Sequence, residues 1–273
     1  MTRKSSLAAL LVFAVAPALT LSQQIPVKCS VSHDLPNPPR PAGTHDTKSV
    51  TEAEALEIDK AGRSQPGFLS MPELENIGIL RYRLAEYATC ADRSHCYWSD
   101  LQSQLDRASA ELKRLVPTRK PNEKLAMVLD IDETSLSSYC VLLREGFGSS
   151  PAHYTEWLVS PDASIAVPGT LALYNQALAA NVSVFFITGR PHSLAEATAR
   201  NLRLAGYDHW SGLILRSEAE LNLDTTWYKS SHRAEIARDY RIILSVGDQW
   251  SDLNGTPHAE VSVKLPNPFY FLP

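Results

Sequence analysis

The stretch LAMVLDIDETS, residues 125–135, constrains the fold more than any other part of the chain. Its first five residues, Leu125, Ala126, Met127, Val128 and Leu129, are apolar and uncharged. A short run with no polar position reads as a strand buried on both faces of a parallel sheet. Two acids follow at once, Asp130 and Asp132, separated by Ile131. In an extended chain alternate side chains share a side, so both carboxylates leave the strand in the same direction. Acids at the mouth of a buried strand are costly unless a metal or hydrogen bonds hold them.

The chain around this strand alternates strands and helices. After Lys120, apolar runs at 182–187, 213–215, 241–246 and 261–263 are separated by helical patterns at 168–180, 191–205 and 228–240. That order is the signature of an α/β fold with a doubly wound, Rossmann-like parallel sheet. Gly206 is placed to stop the helix before it. Residues 133–167 carry no clear period and are too long for a simple connection, so they read as an insertion over the strand ends. Upstream, two amphipathic helical patterns at about 72–90 and 94–115 form an N-terminal helical segment.

Residues 1–22 read as a signal peptide. Arg3 and Lys4 give a positive start, residues 7–21 are apolar and uncharged, and Thr20 and Ser22 have the small-residue spacing for cleavage after Ser22. The run is short for a ~20-residue membrane span. No cysteine follows it in lipobox context, so no stable membrane anchor is expected. The implied location is secreted or periplasmic. Residues 23–66 form a proline-rich arm, and 67–273 a single domain, with a helical layer at 67–118 and a core at 119–273. The formal charge of −4 gives no reason to expect a nucleic-acid partner.

Four cysteines, Cys29, Cys90, Cys96 and Cys140, allow three pairings in an exported chain. Cys90–Cys96 is favoured because the two are close in sequence, leaving Cys29–Cys140. Cys90, His95 and Cys96 as zinc ligands is the rival reading, and it lacks a clear fourth ligand.

In open parallel sheets a ligand binds at the carboxyl ends of the strands. There the chain places Asp130 and Asp132, then Thr188-Gly189, then Lys229 at a helix start, then Asp248 and Asp252. Carboxylates, a hydroxyl and a lysine suit a hard cation beside a phosphoryl group. The metal must neutralise the acids before a phosphate can approach.

DIDETS, FFITGR, YKS and VGDQWSDL resemble the four motifs of the haloacid dehalogenase (HAD) superfamily, and more narrowly its acid phosphatase branch (class B/C, subfamily IIIB). That branch includes bacterial secreted acid phosphatases and plant vegetative storage proteins. The resemblance spans roughly residues 68–267, and no motif position is missing. It implies a HAD-like fold and a Mg2+-dependent acid phosphatase that hydrolyses small phosphomonoesters through an aspartyl-phosphate. Asp130 would be the nucleophile and Asp132 the proton donor and acceptor. Lys229 would bridge phosphate and nucleophile, while Thr188 and Gly189 would hold phosphate oxygens. Asp130, the backbone carbonyl of Asp132, Asp248 and Asp252 would surround the metal. Glu133 would orient the following turn, and Arg190 either contacts substrate or pairs with an acid. His192 and His232 read as surface residues. Tyr139, Tyr154, Trp157 and Trp250 either stack on a leaving group or pack the insertion. Two other functions stay open: a storage or binding protein on the same fold, and phosphoryl transfer to an alcohol.

Overall fold

The computed structural model describes residues 77–89, 96–148 and 150–272. Five parallel strands form one sheet: β1 (Leu125–Leu129), β2 (Ser183–Pro191), β3 (Gly212–Arg216), β4 (Arg241–Gly247) and β5 (Val261–Lys264). Their order is β3-β2-β1-β4-β5. The chain leaves β1 to build one wing and returns across it to build the other. β1 and β4 therefore flank the point where the winding reverses, where an open sheet leaves a crevice.

All five residues of β1 are buried, as an uninterrupted apolar run requires. Its side chains divide by alternation. Leu125, Met127 and Leu129 enter a large core with Phe186, Leu244 and Val246, while Ala126 and Val128 enter a smaller one with Phe185, Ile187 and Tyr228. Leu129 pairs with Phe186 on one side and Val246 on the other. That register brings Asp130, Thr188 and Asp248 to a single edge of the sheet.

The larger core is covered by helices α1 (Ile77–Thr89) and α2 (Tyr97–Leu115). Leu101, Leu105 and Leu112 of α2 are buried at helical spacing. Helix α3 (Tyr139–Arg144) and helix α4 (Pro151–Val159) lie within the segment expected to be an irregular insertion. They have only six and nine residues, too few for a helical period to stand out in the sequence. Backbone bonds from Ser137 N to Ile165 O (2.8 Å) and from Val167 N to Ser135 O (2.9 Å) close the base of the insertion. It has its own core of Cys140, Val141, Trp157, Leu158 and Ala163.

Three more helices follow: α5 (Pro168–Ala179), α6 (Ala195–Leu204) and α7 (Thr225–Ile236). Asn201 Nδ2 of α6 donates to Leu158 O of α4 at 2.7 Å, which fastens the insertion to the sheet's helical layer. Gly206 follows α6 with a φ of +100°, the left-handed residue that the sequence predicts there. Helix α7 starts three residues earlier than its apolar pattern suggests, because Asp224 accepts from Trp227 N at 2.8 Å and caps it. Lys229 consequently lies in the second turn. A last short helix, α8 (Trp250–Leu253), follows β4.

Cys96 and Cys140 are buried, and neither is a free thiol. This removes Cys96 as a zinc thiolate. Cys29, Cys90 and His95, the signal peptide and the proline-rich arm lie outside the described residues. Among the described residues no helix is long and apolar enough to cross a membrane.

The helical layer belongs to the core that holds β1. Leu112→Ala, at a fully buried position, is expected to destabilise the fold by about 2–5 kcal/mol in chemical denaturation. A loss under about 1 kcal/mol would show that α2 is only loosely attached.

Candidate active site

Asp130 begins where β1 stops. Its N–H continues the ladder to Val246 O at 3.1 Å, and its carbonyl accepts from Ser135 Oγ at 2.6 Å. The backbone is thus fixed on both sides of the carboxylate. Lys229 Nζ donates to Oδ1 of Asp130 and to Oδ1 of Asp252. All three groups are buried. Burial alone would lower the Lys229 pKa, yet the two acids outweigh it and hold the ammonium charged.

Asp130, Asp248 and Asp252 each offer a carboxylate oxygen, and these oxygens lie within 4.8 Å of one another. Asp248 follows β4. It accepts from Thr134 Oγ1 at 3.0 Å, Gln249 Nε2 at 2.8 Å and Asn267 Nδ2 at 2.7 Å. Asp252 accepts from Gln249 N at 2.8 Å, which folds the loop after β4 back on itself. Gly247 permits that fold, since a Cβ there would fall 2.3 Å from Asp252 Cβ. Arg233 supports the far side. It is fully buried and donates to the carbonyls of Asp252 (2.6 Å), Pro257 (3.1 Å) and Asn254.

Burial and the neighbouring Asp252 raise the Asp130 carboxyl well above its usual range, against the pull of Lys229. The same two causes push Asp248 up to about 7. Glu133 is also pushed to about 7 by burial and by Asp132. Lys229 pairs with two of these buried carboxylates, Asp130 and Asp252, and leaves Asp248 and Glu133 to hydrogen bonds. Oxygen-only donors at this spacing fit a hard divalent cation, which would relieve the excess negative charge. Ser251 Oγ, buried in the same loop, has no protein partner.

Asp132 goes elsewhere. Its carboxylate is not one of the three that converge. Arg190 holds it with Nε to Oδ2 at 3.0 Å and Nη2 to Oδ1 at 2.7 Å, and the Tyr154 hydroxyl donates to Oδ1 at 3.1 Å. Burial raises its pKa, but the Arg190 charge and its bonds win and hold Asp132 below the ordinary carboxylate range. Of the two readings of Arg190, the structure shows the pairing with an acid. Glu133 turns the chain with a φ of +54°. It accepts from the N–H and the hydroxyl of Ser138, both at 2.6 Å, so it does orient the following turn.

Thr188 is buried at the same sheet edge, within β2. Its Oγ1 accepts from Arg190 N at 3.2 Å, and its carbonyl accepts from Tyr228 Oη at 3.0 Å. Gly189, next to it, is exposed. Trp157 and Tyr139 pack inward, whereas Trp250 is 57% exposed. His232 lies between Glu220 (2.9 Å) and Glu235 (3.0 Å) and bonds to none of the aspartates of the cluster.

The model of the family described as HAD superfamily, subfamily IIIB (acid phosphatase) matches residues 70–273. The chain belongs to that family. It is 35% identical over 150 residues to vegetative storage protein 1 of Arabidopsis thaliana, covering 54% of this chain and 55% of the relative. It is also 35% identical over 149 residues to acid phosphatase 1 of Solanum lycopersicum, covering 53% and 58%. The chain thus spans somewhat over half the length of these relatives. Among solved structures, the class C acid phosphatase from Bacillus anthracis with tungstate bound has the same fold. Its TM-score is 0.58 at 20% identity, covering 71% of this chain and 86% of that one.

Sequence reasoning about this subfamily IIIB chain missed Arg233, Thr134 and Asn267. Arg233 left a trace, since it follows Lys229 by four residues and so shares its helix face. Asn267 left none, in a tail that reads only as proline-rich.

The raised carboxyls dictate a pH response. Groups whose folded pKa lies above the unfolded value stabilise the fold most below the unfolded pKa, near 4, and lose that contribution as pH rises through about 7. Melting of the chelated protein is expected at a lower temperature at pH 8 than at pH 5, with a divalent cation restoring more at pH 8. Equal stabilisation by the cation at both pH values would contradict this. Gly247→Ala is expected to weaken cation binding by ~10-fold or more in calorimetry, because the Asp252 loop must move aside.

Proposed function

We propose that this chain is an exported, Mg2+-dependent acid phosphatase acting on small phosphomonoesters through an aspartyl-phosphate on Asp130. The observation that carries the reading is the Asp130 carboxylate, buried at the end of β1, ion-paired to Lys229 and beside Asp248 and Asp252. Lys229 pulls Asp130 toward the ionised form that a nucleophile needs, against burial and Asp252, and a bound cation would add to that pull. Asp130 Oδ attacks phosphorus, the ester P–O bond breaks, and Asp132 protonates the departing alcohol oxygen. A water molecule then attacks the phosphoryl group, gives its proton to Asp132, and releases phosphate with Asp130 regenerated. Thr188 and the Gly189 amide hold phosphoryl oxygens. Asp130, Asp248, Asp252 and the Asp132 carbonyl would hold Mg2+, which supplies positive charge against the phosphoryl oxygens.

Arg190 shapes the two steps differently. It holds Asp132 ionised at rest, so the second step finds its base ready. The first step needs a proton to be taken up, and an ester with a poorly basic leaving group needs it least.

A storage role draws on the names of plant relatives such as vegetative storage protein 1. Against it stand an intact Asp130 and a complete lysine and carboxylate set. Export and disulfide bonding of Cys96 and Cys140 belong to the same proposal, supported by the apolar leader and the buried, non-free cysteines.

The purified chain is expected to hydrolyse p-nitrophenyl phosphate only with a divalent ion, and Asp130→Asn to lower that rate by more than ~10³-fold. Equal inertness of both with Mg2+ present would favour the storage reading. Asp132→Asn is expected to lower kcat/KM for glycerol phosphate by ~10²–10⁴-fold and for p-nitrophenyl phosphate far less. The second step does not enter kcat/KM, so an equal loss on both substrates would remove Asp132 as the proton donor.

A further inference from the structure

After β5 the chain doubles back over the acidic crevice. Leu265 N donates to Gly247 O at 2.8 Å, which carries the β4–β5 ladder one residue past β5. Asn267 Nδ2 then donates to Asp248 Oδ2 at 2.7 Å. Tyr270 Oη donates to Glu133 Oε2 at 2.6 Å. Leu272 N donates to Gln249 Oε1 at 3.1 Å, and the same Gln249 side chain donates to Asp248 Oδ2 at 2.8 Å. One short segment thus meets two of the acids directly and a third support, Gln249, at its end.

The segment is itself anchored. The Phe269 ring lies edge-on to Tyr97 at 4.9 Å and stacks on Phe147 at 5.7 Å, joining the helical layer to the insertion. The orientation of the Asn267 amide is dictated locally. Its Oδ1 accepts from Phe269 N at 2.9 Å and from Tyr270 N at 3.4 Å. The amide nitrogen must therefore face Asp248. With Thr134 on Oδ1 and both Asn267 and Gln249 on Oδ2, the Asp248 carboxylate cannot turn freely.

We propose that residues 266–272 form part of the metal centre, with Asn267 as the positioning residue that aims the Asp248 carboxylate at the cation. The inference rests on the metal-dependent reading above. A preset carboxylate binds without losing rotational freedom, and partners of this kind typically change metal affinity by ~10- to 100-fold. Asn267 also has a purely local role, accepting the two N–H groups of its own turn. The two roles separate by substitution. Serine at 267 keeps a short acceptor for the turn but does not reach Asp248.

The test is Mg2+ titration by calorimetry on the parent, Asn267→Ser and Asn267→Ala, with thermal midpoints measured in chelator. Both variants are expected to bind Mg2+ ~10-fold or more weakly, and Asn267→Ser to keep its chelated midpoint near that of the parent. Affinity within about twofold of the parent in Asn267→Ser would overturn the proposal while leaving the metal reading intact. No binding by the parent would overturn both. Should Asn267→Ala fold poorly, the serine variant alone decides.

Discussion

The Lys229 ammonium, buried between Asp130 and Asp252, is the interaction on which the rest of the site depends. A buried cation is tolerable only with partners, and a buried acid likewise. The three groups satisfy one another only because β1, α7 and the loop after β4 meet at one point. Removing the lysine would leave Asp130 and Asp252 without their shared ion-pair partner, beside Asp248. The proposed metal binding and phosphoryl chemistry would both draw on that excess of negative charge.

Sheet register explains why the groups converge. Leu129 is paired on both sides, so Leu129, Phe186 and Val246 are level across β1, β2 and β4. Each strand then delivers its functional residue one or two positions later. The supporting shell follows a different logic. Arg233, Gln249 and Asn267 act on carbonyls and carboxylates rather than on a ligand, and they come from a helix face, a loop and a returning tail.

The fold was largely legible because its cause is local. A short apolar run without a polar position, among alternating strands and helices, fits a central strand, and the five residues of β1 are all buried. The acids at the strand ends were legible for the same reason, each following such a run. What stayed hidden was long-range. The Arg190 partnership with Asp132 spans 58 positions, and the Tyr270 bond to Glu133 spans 137. No local pattern encodes such pairs. The direction taken by Asp132 was hidden too, since alternation describes a strand and the chain turns after Asp130. In the insertion, helices of six and nine residues were too short to show a period.

The base of the insertion has a wider consequence. Leu136 bridges to Ala166, so the two ends of the segment lie side by side. For a loop whose ends are already joined, doubling its length adds only about 0.6 kcal/mol of closure entropy. The segment's length and composition are therefore free to drift while the strand that carries Asp130 stays fixed. Divergence between members of this fold can then concentrate above the crevice, where the proposed reaction would meet its leaving group.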